Sequence, residues 1–417
     1  MKFYYTVSTN FYGNTNPEEL ILKYGSPLYV YNEHILRQRC RDMVRLVDYP
    51  HFKAGYSVKA NSNIHLLKVI LEEGLNADAM SPGEIFLLLK AGFNPNQILY
   101  VSNNVSVDEM KFAVDNNITV SIDSLSQLEL FGRTFPGSNV AIRFNPGIGA
   151  GHNEKVITGG KKTKFGVNID LVPQVKDILK RYKLKLIGIN QHIGSLFMEG
   201  EPYLKGAKSI LDTAKHFDDL DFVDLGGGFG IPYHKQQGEK SLNIDYLRHE
   251  LNILIDRWVK DYGKEITFKT QPGRYVIAEC GVLLGRVHAI KQNSSTVYVG
   301  TDIGFNNLMR PVLYDSYHEL EIYRKGNIIN SDEVSPVTIV GNICESGDII
   351  AKNRPLPPLC EGDIIGVMDT GAYGYSMSSN YNSRLKPAEV LINENGEDIL
   401  IRRRDTLEDL VRNFCHS

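Results

Sequence analysis

Lys59 is the residue of this sequence with the clearest chemical potential. It closes a short apolar alternation at residues 56–58, and small polar residues follow it at once at 60–63. A lysine at a strand end, held where water is excluded, can lose its proton and attack a carbonyl carbon to form a Schiff base. A solvated strand-end lysine is the simpler interpretation, so the assignment depends on what surrounds Lys59 in the fold.

A cluster of three glycines, Gly226, Gly227 and Gly228, is the second informative stretch. Consecutive glycines let the backbone approach an anion closely and direct N–H groups at it. The cluster lacks the dinucleotide spacing G-x-G-x-x-G, because Ile231 occupies the last position, and triple glycine also occurs in plain turns. A Schiff-base lysine together with a phosphate cradle indicates pyridoxal 5'-phosphate (PLP), whose aldehyde and phosphate need these two groups.

Short runs typical of β-strands alternate with amphipathic helical patterns from residue 52 onward. Capping patterns at Ser106 and Ser124, and glycines at positions 74 and 92, mark the ends of the intervening helices. This alternation predicts an α/β fold of the (β/α)8 barrel type, with an open doubly wound sheet as the structural alternative. The predicted strands are residues 52–58, 76–80, 98–102, 118–122, 139–144, 184–190, 221–225 and 266–270.

The barrel prediction places the chemistry at the carboxyl ends of the strands, where such barrels bind their ligands. Each candidate there has a simpler interpretation, since an aspartate after a strand is usually a helix cap and an arginine often pairs with a neighbouring carboxylate. Their coincidence at successive strand ends favours one shared site. The candidates are Lys59, Asp78, Asp123, Arg143, His192, the glycine cluster and the turn Gln271-Pro272-Gly273-Arg274.

Beyond residue 281 the sequence becomes rich in β-branched residues and predicts a second, mostly β domain of the sandwich or barrel-like kind. The pair Asn395-Gly396 predicts a tight two-residue hairpin turn. Loops at 304–311, 344–348 and 371–377 are rich in special residues and are expected to carry function. The predicted strands are residues 282–284, 287–289, 297–299, 337–340, 364–367 and 399–401.

Length, composition and charge limit the kinds of protein that this chain can be. A chain of 417 residues with 42% hydrophobic content has room for two domains with sizeable cores. The net charge of -3 without a basic run argues against nucleic acid, and no apolar run reaches membrane-spanning length. The N-terminus lacks a signal-like apolar core, so we expect a cytoplasmic protein. Five scattered cysteines without CxxC pairs argue against a disulfide framework and a thiolate metal site.

Seven segments in order along the chain carry a resemblance to a known family: YSVKANSN, NQHIGS, DLGGGFG, PGRYVIAECG, RPVLYDSYH, CESGD and GAYGYSMSSNYNSR. From about residue 26 to the C-terminus the sequence resembles the diaminopimelate decarboxylases, in the alanine-racemase-like class of PLP enzymes. CESGD and RPVLY fit this family better than the related ornithine decarboxylases. The resemblance implies a PLP-binding barrel at residues 33–280 and a β domain formed by residues 1–32 and 281–417.

The resemblance also implies an activity and a set of cofactor contacts. The activity is decarboxylation of meso-2,6-diaminopimelate to L-lysine and CO2, the last step of lysine biosynthesis. Lys59 carries PLP as a Schiff base, and His192 stacks on the cofactor ring. The remaining cofactor-binding residues are Asp78, Arg143, Ser195, Gly227, Gly228, Gln271, Gly273, Arg274 and Tyr373.

Substrate contacts follow from the same resemblance. Glu345 matches the residue that binds the distal amino group, and Cys344 matches the proton donor, which joins Lys59 and His192 as a catalytic residue. In the family Cys344 and Glu345 come from the partner subunit, so the resemblance implies a homodimer with shared active sites. The other substrate-binding positions are Arg274, Arg310, Tyr314 and Tyr373.

Gln271 departs from the family pattern. The family has a glutamate before Pro-Gly-Arg, and its carboxylate keeps the pyridine nitrogen of PLP protonated. A neutral amide favours that charged form less than a carboxylate does, so the sequence alone predicts that Gln271→Glu raises turnover. The alternative is that a nearby acid, with Asp78 as one candidate, already supplies the charge, in which case a second carboxylate would repel it and lower activity. Two alternatives stay open: a related PLP decarboxylase or racemase acting on another amino acid, and a non-catalytic regulator that retains the fold.

Overall fold

Eight parallel strands close into a barrel in the computed structural model, which describes residues 4–147, 150–151, 160 and 163–415. The chain separates into two units. The barrel unit comprises Arg37–Ile231 and Ser241–Val276, and the β unit comprises Met1–Leu36, Pro232–Lys240 and Ile277–Ser417.

The strands, numbered in chain order, are β1 (Leu28–Asn32), β2 (Phe52–Ser57), β3 (Asn76–Ala79), β4 (Ile98–Val101), β5 (Thr119–Ile122), β6 (Asn139–Asn145), β7 (Ala150–Gly151), β8 (Val167–Asn168), β9 (Lys185–Asn190), β10 (Gly194–Ser195), β11 (Phe222–Asp224), β12 (Thr267–Thr270), β13 (Gly281–Asn293), β14 (Thr296–Thr301), β15 (Leu320–Arg324), β16 (Asn327–Ile328), β17 (Ser335–Val340), β18 (Ile349–Leu356), β19 (Ile364–Val367), β20 (Ala388–Ile392) and β21 (Asp398–Arg402). The helices are α1 (Tyr5–Ser8), α2 (Pro17–Tyr24), α3 (Glu33–Val44), α4 (Ile64–Glu72), α5 (Pro82–Ala91), α6 (Val107–Asp115), α7 (Leu125–Thr134), α8 (Val172–Tyr182), α9 (Gly200–Ala214), α10 (Ile244–Tyr262), α11 (Arg274–Ile277), α12 (Arg310–Tyr314) and α13 (Leu407–Val411).

The barrel confirms the (β/α)8 prediction and rules out the open doubly wound sheet. Its strands pair in the order β5-β4-β3-β2-β12-β11-β9-β6, and pairing of β5 with β6 closes the ring. Helices α4 to α10 occupy the connections between successive strands. All strand pairs are parallel, so the carboxyl ends of the strands meet on one face, which is where the predicted site residues are needed.

The predicted helix ends also form. Ser106 caps α6 through a reciprocal capping box with Glu109, and the Ser124 hydroxyl accepts a hydrogen bond from the Gln127 N–H at the start of α7. Gly92 ends α5 in the left-handed region at φ 105°, a conformation that glycine adopts without steric cost. These local signals therefore delimit the helices that space the barrel strands.

A curled sheet forms the β unit. β1, from the N-terminal segment, lies between β13 and β20, so residues distant in sequence share one sheet. Each predicted run after residue 281 falls on a strand: β13, β14, β17, β19 and β21. The hairpin at Asn395-Gly396 joins β20 to β21, but the Asn393 N–H bonds the Glu397 carbonyl, so its loop is longer than the two residues predicted.

Three further observations concern membrane spans, metal sites and disulfides. None of the helices within the described residues is both long and apolar enough to cross a membrane. Within the same residues, no group of three or more His, Cys, Asp or Glu side chains is arranged to hold a metal ion. The five cysteines, all within the described residues, form no disulfide, and Cys40 and Cys280 are buried.

Candidate active site

The predicted site residues of the barrel unit lie at the carboxyl ends of their strands. Lys59 sits in a single turn, Val58–Ala60, directly after β2, so the strand ends one residue earlier than predicted. Asp78 lies within β3, Arg143 lies within β6, and His192 follows β9 by two residues. A barrel brings these positions together although they are far apart in sequence.

Asp78 is a buried carboxylate next to Lys59. The Ser57 hydroxyl donates to Asp78 Oδ1 over 2.9 Å, since β2 and β3 pair with Ser57 opposite Asp78. Burial raises the pKa of Asp78 to about 8, with the Lys59 charge opposing the rise and Asp224 adding to it. Asp78 is therefore poised to exchange a proton near neutral pH, and Ser57 is a contributor that sequence reasoning missed.

Arg143 and His192 extend this cluster. Burial lowers the pKa of Arg143 to about 10, against the opposing charges of Asp123 and Asp78. Burial, together with the positive charges of Lys59 and Arg143, holds the pKa of His192 well below its ordinary value, so the ring is neutral. The Gly227 N–H donates to His192 Nδ1 over 3.3 Å, which leaves the ring proton on Nε2.

The glycine cluster follows β11 and packs backbone against backbone. A Cβ on Gly227 would lie 1.8 Å from the Gln271 carbonyl oxygen, and one on Gly228 would lie 2.4 Å from the Gly194 carbonyl oxygen. Gly228 also adopts φ +110°, which disfavours other residues. Only glycine allows this close approach, so the loop keeps its main chain at the carboxyl face of the barrel.

Ser195 and Arg274 are brought together although 79 residues separate them. The Arg274 guanidinium donates to the Ser195 hydroxyl through Nη2 over 3.1 Å. Arg274 begins α11, and the Gly273 carbonyl accepts a hydrogen bond from the Val276 N–H at the same turn. A buried arginine and a hydroxyl in contact form a suitable pair of donors for an anionic group.

Asp224 is a site residue that sequence reasoning did not single out. It ends β11, opposite Asn190 of β9, and accepts a hydrogen bond from the Gly226 N–H over 2.8 Å. Burial raises the pKa of Asp224 to about 6, while the Gln271 side chain lies beside it and opposes that rise. Its position at a predicted strand end, two residues before the glycine cluster, was the available signal. Gln271, which departs from the family pattern, thus lies beside the buried carboxyl group of Asp224.

The β unit carries the remaining predicted residues. Arg310 starts α12 and is 2% exposed, with its Nη1 2.8 Å from the His318 Nε2 and its guanidinium over the Tyr233 ring. Tyr314 ends the same helix. Tyr373 adopts a left-handed backbone at φ 58°, which is uncommon for a bulky residue and marks a constrained loop.

Cys344 and Glu345 lie on an exposed loop of the β unit. The Cys344 N–H donates to the side-chain carbonyl of Asn382 over 3.0 Å, and the Asn382 amide donates to the Cys344 sulfur over 3.2 Å. The Tyr381 hydroxyl donates to Glu345 over 2.6 Å. The side chains of Cys344 and Glu345 are therefore both held in place by one neighbouring segment.

Comparison with known proteins identifies relatives over nearly the whole chain. The model of the pyridoxal-dependent decarboxylase family, pyridoxal binding domain, matches residues 33–278. The chain is 39% identical over 409 residues to a diaminopimelate decarboxylase of Methanothermobacter thermautotrophicus, covering 96% of this chain and 94% of that protein. It is 34% identical over 401 residues to the diaminopimelate decarboxylase of Escherichia coli K12, covering 93% and 94%.

A solved structure is similar over the same extent. The crystal structure of diaminopimelate decarboxylase from Helicobacter pylori, complexed with L-lysine, matches with a TM-score of 0.85 at 32% identity. The match covers 95% of this chain and 98% of that chain. The fold and the sequence therefore resemble the same group of proteins.

The barrel residues fit a pyridoxal phosphate cofactor. Among the described residues, Nη2 of Arg143 has no hydrogen-bond partner although it is buried, and buried donors are normally paired. An anionic cofactor oxygen would satisfy it. The Ser195–Arg274 pair supplies donors of the kind that a phosphate needs. Lys59 supplies the amine that an aldehyde needs.

Proposed function

The chain belongs to the diaminopimelate decarboxylase family, a group of PLP-dependent amino-acid decarboxylases, and we propose that it converts meso-2,6-diaminopimelate to L-lysine and CO2. The observation that carries the proposal is the grouping of Lys59, Asp78, Arg143 and His192 at the carboxyl face of the barrel. L-lysine is the molecule bound in the Helicobacter pylori relative and is the product expected here. The reaction is the last step of lysine biosynthesis.

PLP withdraws electrons from the substrate carbon that loses CO2. We propose that Lys59 Nζ binds the cofactor aldehyde and that neutral His192 packs against the ring. Asp78, Arg143 and Gln271 would contact polar atoms of the ring. The phosphate would be held by the main chain and side chains of Ser195, Gly227, Gly228, Gly273, Arg274 and Tyr373.

The substrate is held at both of its ends in this proposal. Arg310 and Tyr314, together with Arg274, would bind carboxylate, because a guanidinium binds a planar carboxylate at two points. Glu345 would bind the distal ammonium, and Tyr373 would close the site beside the cofactor. A substrate without the second amino-carboxylate end leaves these polar groups without partners, which is costly and favours diaminopimelate.

Cys344 supplies the proton that completes the reaction. Breaking the bond to the carboxyl carbon leaves an electron pair on the substrate carbon, and the Cys344 thiol transfers its proton to that carbon. Water then reprotonates the sulfur, so the residue is restored after each turnover.

The family resemblance motivates a proposal about assembly and domains. Cys344 and Glu345 would come from the partner subunit, so the active unit would be a cytoplasmic homodimer with two shared sites. Residues 33–280 would form the cofactor domain, in keeping with the family match at 33–278. Residues 1–32 and 281–417 would form the β domain.

Gln271 supports one alternative within the enzymes. A neutral side chain where the family has glutamate changes the polarity beside the cofactor ring, which bears on reaction type. The alternative is a related PLP decarboxylase or racemase acting on another amino acid. Carbon dioxide release from diaminopimelate, lysine and ornithine, assayed side by side, separates it from the main proposal, which requires diaminopimelate to be preferred.

The role of Lys59 gives the direct test of the proposal. We expect protein purified with PLP to be yellow, to lose its colour with borohydride, and to yield a peptide modified at Lys59. Lys59→Ala should be colourless and should release no CO2, because no other amine takes its place. Lys53→Ala is the matched control, since Lys53 is an exposed lysine on the same strand. A parent protein that stays colourless with added PLP would overturn the proposal.

A further inference from the structure

The loop that carries Cys344 and Glu345 is anchored at its base. The Asp348 carboxylate accepts hydrogen bonds from the Ile343 N–H over 2.8 Å and from the Phe305 N–H over 2.7 Å. The Asp348 N–H in turn bonds the Glu345 carbonyl over 3.1 Å. Asp348 is buried, so these bonds are protected from water and fix the backbone on both sides of the functional pair.

The side chains of the functional pair are held separately, by a second pair of consecutive residues. Asn382 bonds both the main-chain N–H and the sulfur of Cys344, while the Tyr381 hydroxyl bonds the Glu345 carboxylate. The Tyr381 ring stacks on Phe305 with centroids 5.6 Å apart, and Phe305 is itself fixed by Asp348. Asn382 thus holds Cys344, and Tyr381 holds Glu345. Asp348 anchors the loop of Cys344 and Glu345 and also fixes Phe305, on which Tyr381 stacks.

Backbone strain accompanies this arrangement. Asn382 and Ser383 both adopt left-handed φ values, 55° and 54°. Two consecutive residues in this region are costly unless the surrounding structure requires them, and such outliers cluster at functional sites. The left-handed turn directs the Asn382 side chain back to Cys344 and explains why an asparagine, which tolerates this region, stands there.

We propose that Asn382 and Tyr381 are positioning residues with separate tasks, Asn382 for the proton donor Cys344 and Tyr381 for the substrate-binding Glu345. This inference rests on the proposed function, which gives Cys344 and Glu345 those roles. Because one residue serves proton transfer and its neighbour serves binding, adjacent substitutions should affect different kinetic constants.

Asn382→Gly tests the first task. Glycine accepts the left-handed backbone without strain, so this variant removes the side chain and keeps the fold. We expect kcat for diaminopimelate to fall about fivefold to tenfold, the rate equivalent of one hydrogen bond, with KM unchanged. In deuterium oxide the product lysine should also lose configurational purity at its new C–D bond, because an unheld thiol no longer protonates one face alone.

Asn382→Asp refines that test. Aspartate keeps an acceptor for the Cys344 N–H but replaces the donor to the sulfur, so it should lower kcat about as much as glycine does. Asn353→Gly is the matched control: Asn353 is exposed and has φ 49°, but it lies on β18 outside the loop, so its replacement should leave both constants unchanged.

Tyr381→Phe tests the second task. Phenylalanine keeps the ring stacked on Phe305 and removes only the hydroxyl that bonds Glu345. We expect KM for diaminopimelate to rise about fivefold to tenfold while kcat stays near the parent value. Equal effects of Tyr381→Phe and Asn382→Gly on both constants would overturn the proposed division of tasks.

Two further variants separate failure of this inference from failure of the proposed function. Cys344→Ala should lower kcat and Glu345→Gln should raise KM if the proposed roles hold. If Cys344→Ala leaves kcat and the deuterium configuration unchanged, the proton-donor role is wrong. If Cys344→Ala lowers kcat but Asn382→Gly does not, the role stands and the positioning inference is overturned. Free energies of unfolding equal to the parent value show that each variant is folded.

Discussion

At the scale of single residues, Gln271 is where the structure changes the expectation from sequence. Sequence alone predicts that a glutamate here raises turnover, because a carboxylate favours a protonated pyridine nitrogen. The structure places the buried Asp224 beside the Gln271 side chain. Two buried carboxylates in contact cannot both ionise easily, so we now expect Gln271→Glu to lower turnover.

The pH dependence of the unfolding free energy tests the repulsion between the two carboxylates in the absence of the cofactor. The pKa of Asp224 is already raised to about 6, and a second carboxylate raises it further. A carboxyl group whose pKa is raised in the folded state destabilises the fold at any pH above that folded-state pKa. The destabilisation disappears when the pH falls below the unfolded-state pKa, near 4. In urea unfolding we therefore expect Gln271→Glu to lose about 1.4 kcal/mol or more relative to the parent at pH 8, and much less at pH 5.

The control for this experiment is Gln271→Met, which removes the amide without adding charge. Because the Gln271 amide opposes the rise of the Asp224 pKa, this variant should also lose more unfolding free energy at pH 8 than at pH 5, but by less than Gln271→Glu. If Gln271→Glu shows no larger pH dependence than Gln271→Met, the two carboxylates do not interact and the electrostatic argument fails. Higher turnover of diaminopimelate in Gln271→Glu would restore the expectation from sequence.

At the scale of elements, the loop after β11 determines how close the main chain comes to the neighbouring strand end. Gly227 is outside the left-handed region, so its requirement for glycine is purely steric: a Cβ would meet the Gln271 carbonyl at 1.8 Å. Its N–H also bonds His192, so a shift of this loop moves the ring that is proposed to pack on the cofactor. One methyl group therefore disturbs both the strand contact and the site.

We predict that Gly227→Ala loses about 3 kcal/mol of unfolding free energy, because neither of the two main chains can move away easily. Urea unfolding of the cofactor-free protein measures the loss. Gly83→Ala is the matched control: Gly83 lies in the first turn of α5, and its Cβ would meet only the Ser81 hydroxyl at an ordinary 3.7 Å. That change should stabilise by less than about 1 kcal/mol. Equal stability of the two variants would contradict the steric argument.

At the scale of the whole molecule, the proposed homodimer assembles each site from two chains. Lys59→Ala and Cys344→Ala should each be inactive alone, since one lacks the cofactor amine and the other lacks the proton donor. After subunit exchange, about half of the dimers are mixed and each holds one intact site, so about a quarter of the parent activity should return. Carbon dioxide release from diaminopimelate measures the recovery.

Exchange itself must be shown, for which mass spectrometry of differently tagged subunits is sufficient. Each variant mixed with itself is the negative control. Mixed dimers without activity would mean that Cys344 serves the site of its own chain, and the proposed sharing of sites would be wrong.

Local patterns in the sequence determined much of this protein. The alternation of strands and helices predicts the barrel, because side-chain periodicity depends only on neighbouring residues. Each of the eight barrel strands falls on a predicted run, with β6 one residue longer than its run, whereas the two-residue strands β7, β8 and β10 were not predicted. Ser106, Ser124 and Gly92 mark helix ends through local hydrogen bonds and backbone preferences, and these form as predicted. Lys59 at the end of β2 needed only the strand pattern and the resemblance of its segment.

Only the tertiary structure decided which groups meet. Asp224 lies beside Gln271, Ser57 bonds Asp78, and Asn382 bonds Cys344, yet each pair is separated by at least 20 residues and carries no local signal. Contacts of this kind depend on strand register and loop closure, which no single segment specifies. The pKa shifts depend on burial and on charges from other strands, so they too emerge only when the barrel closes.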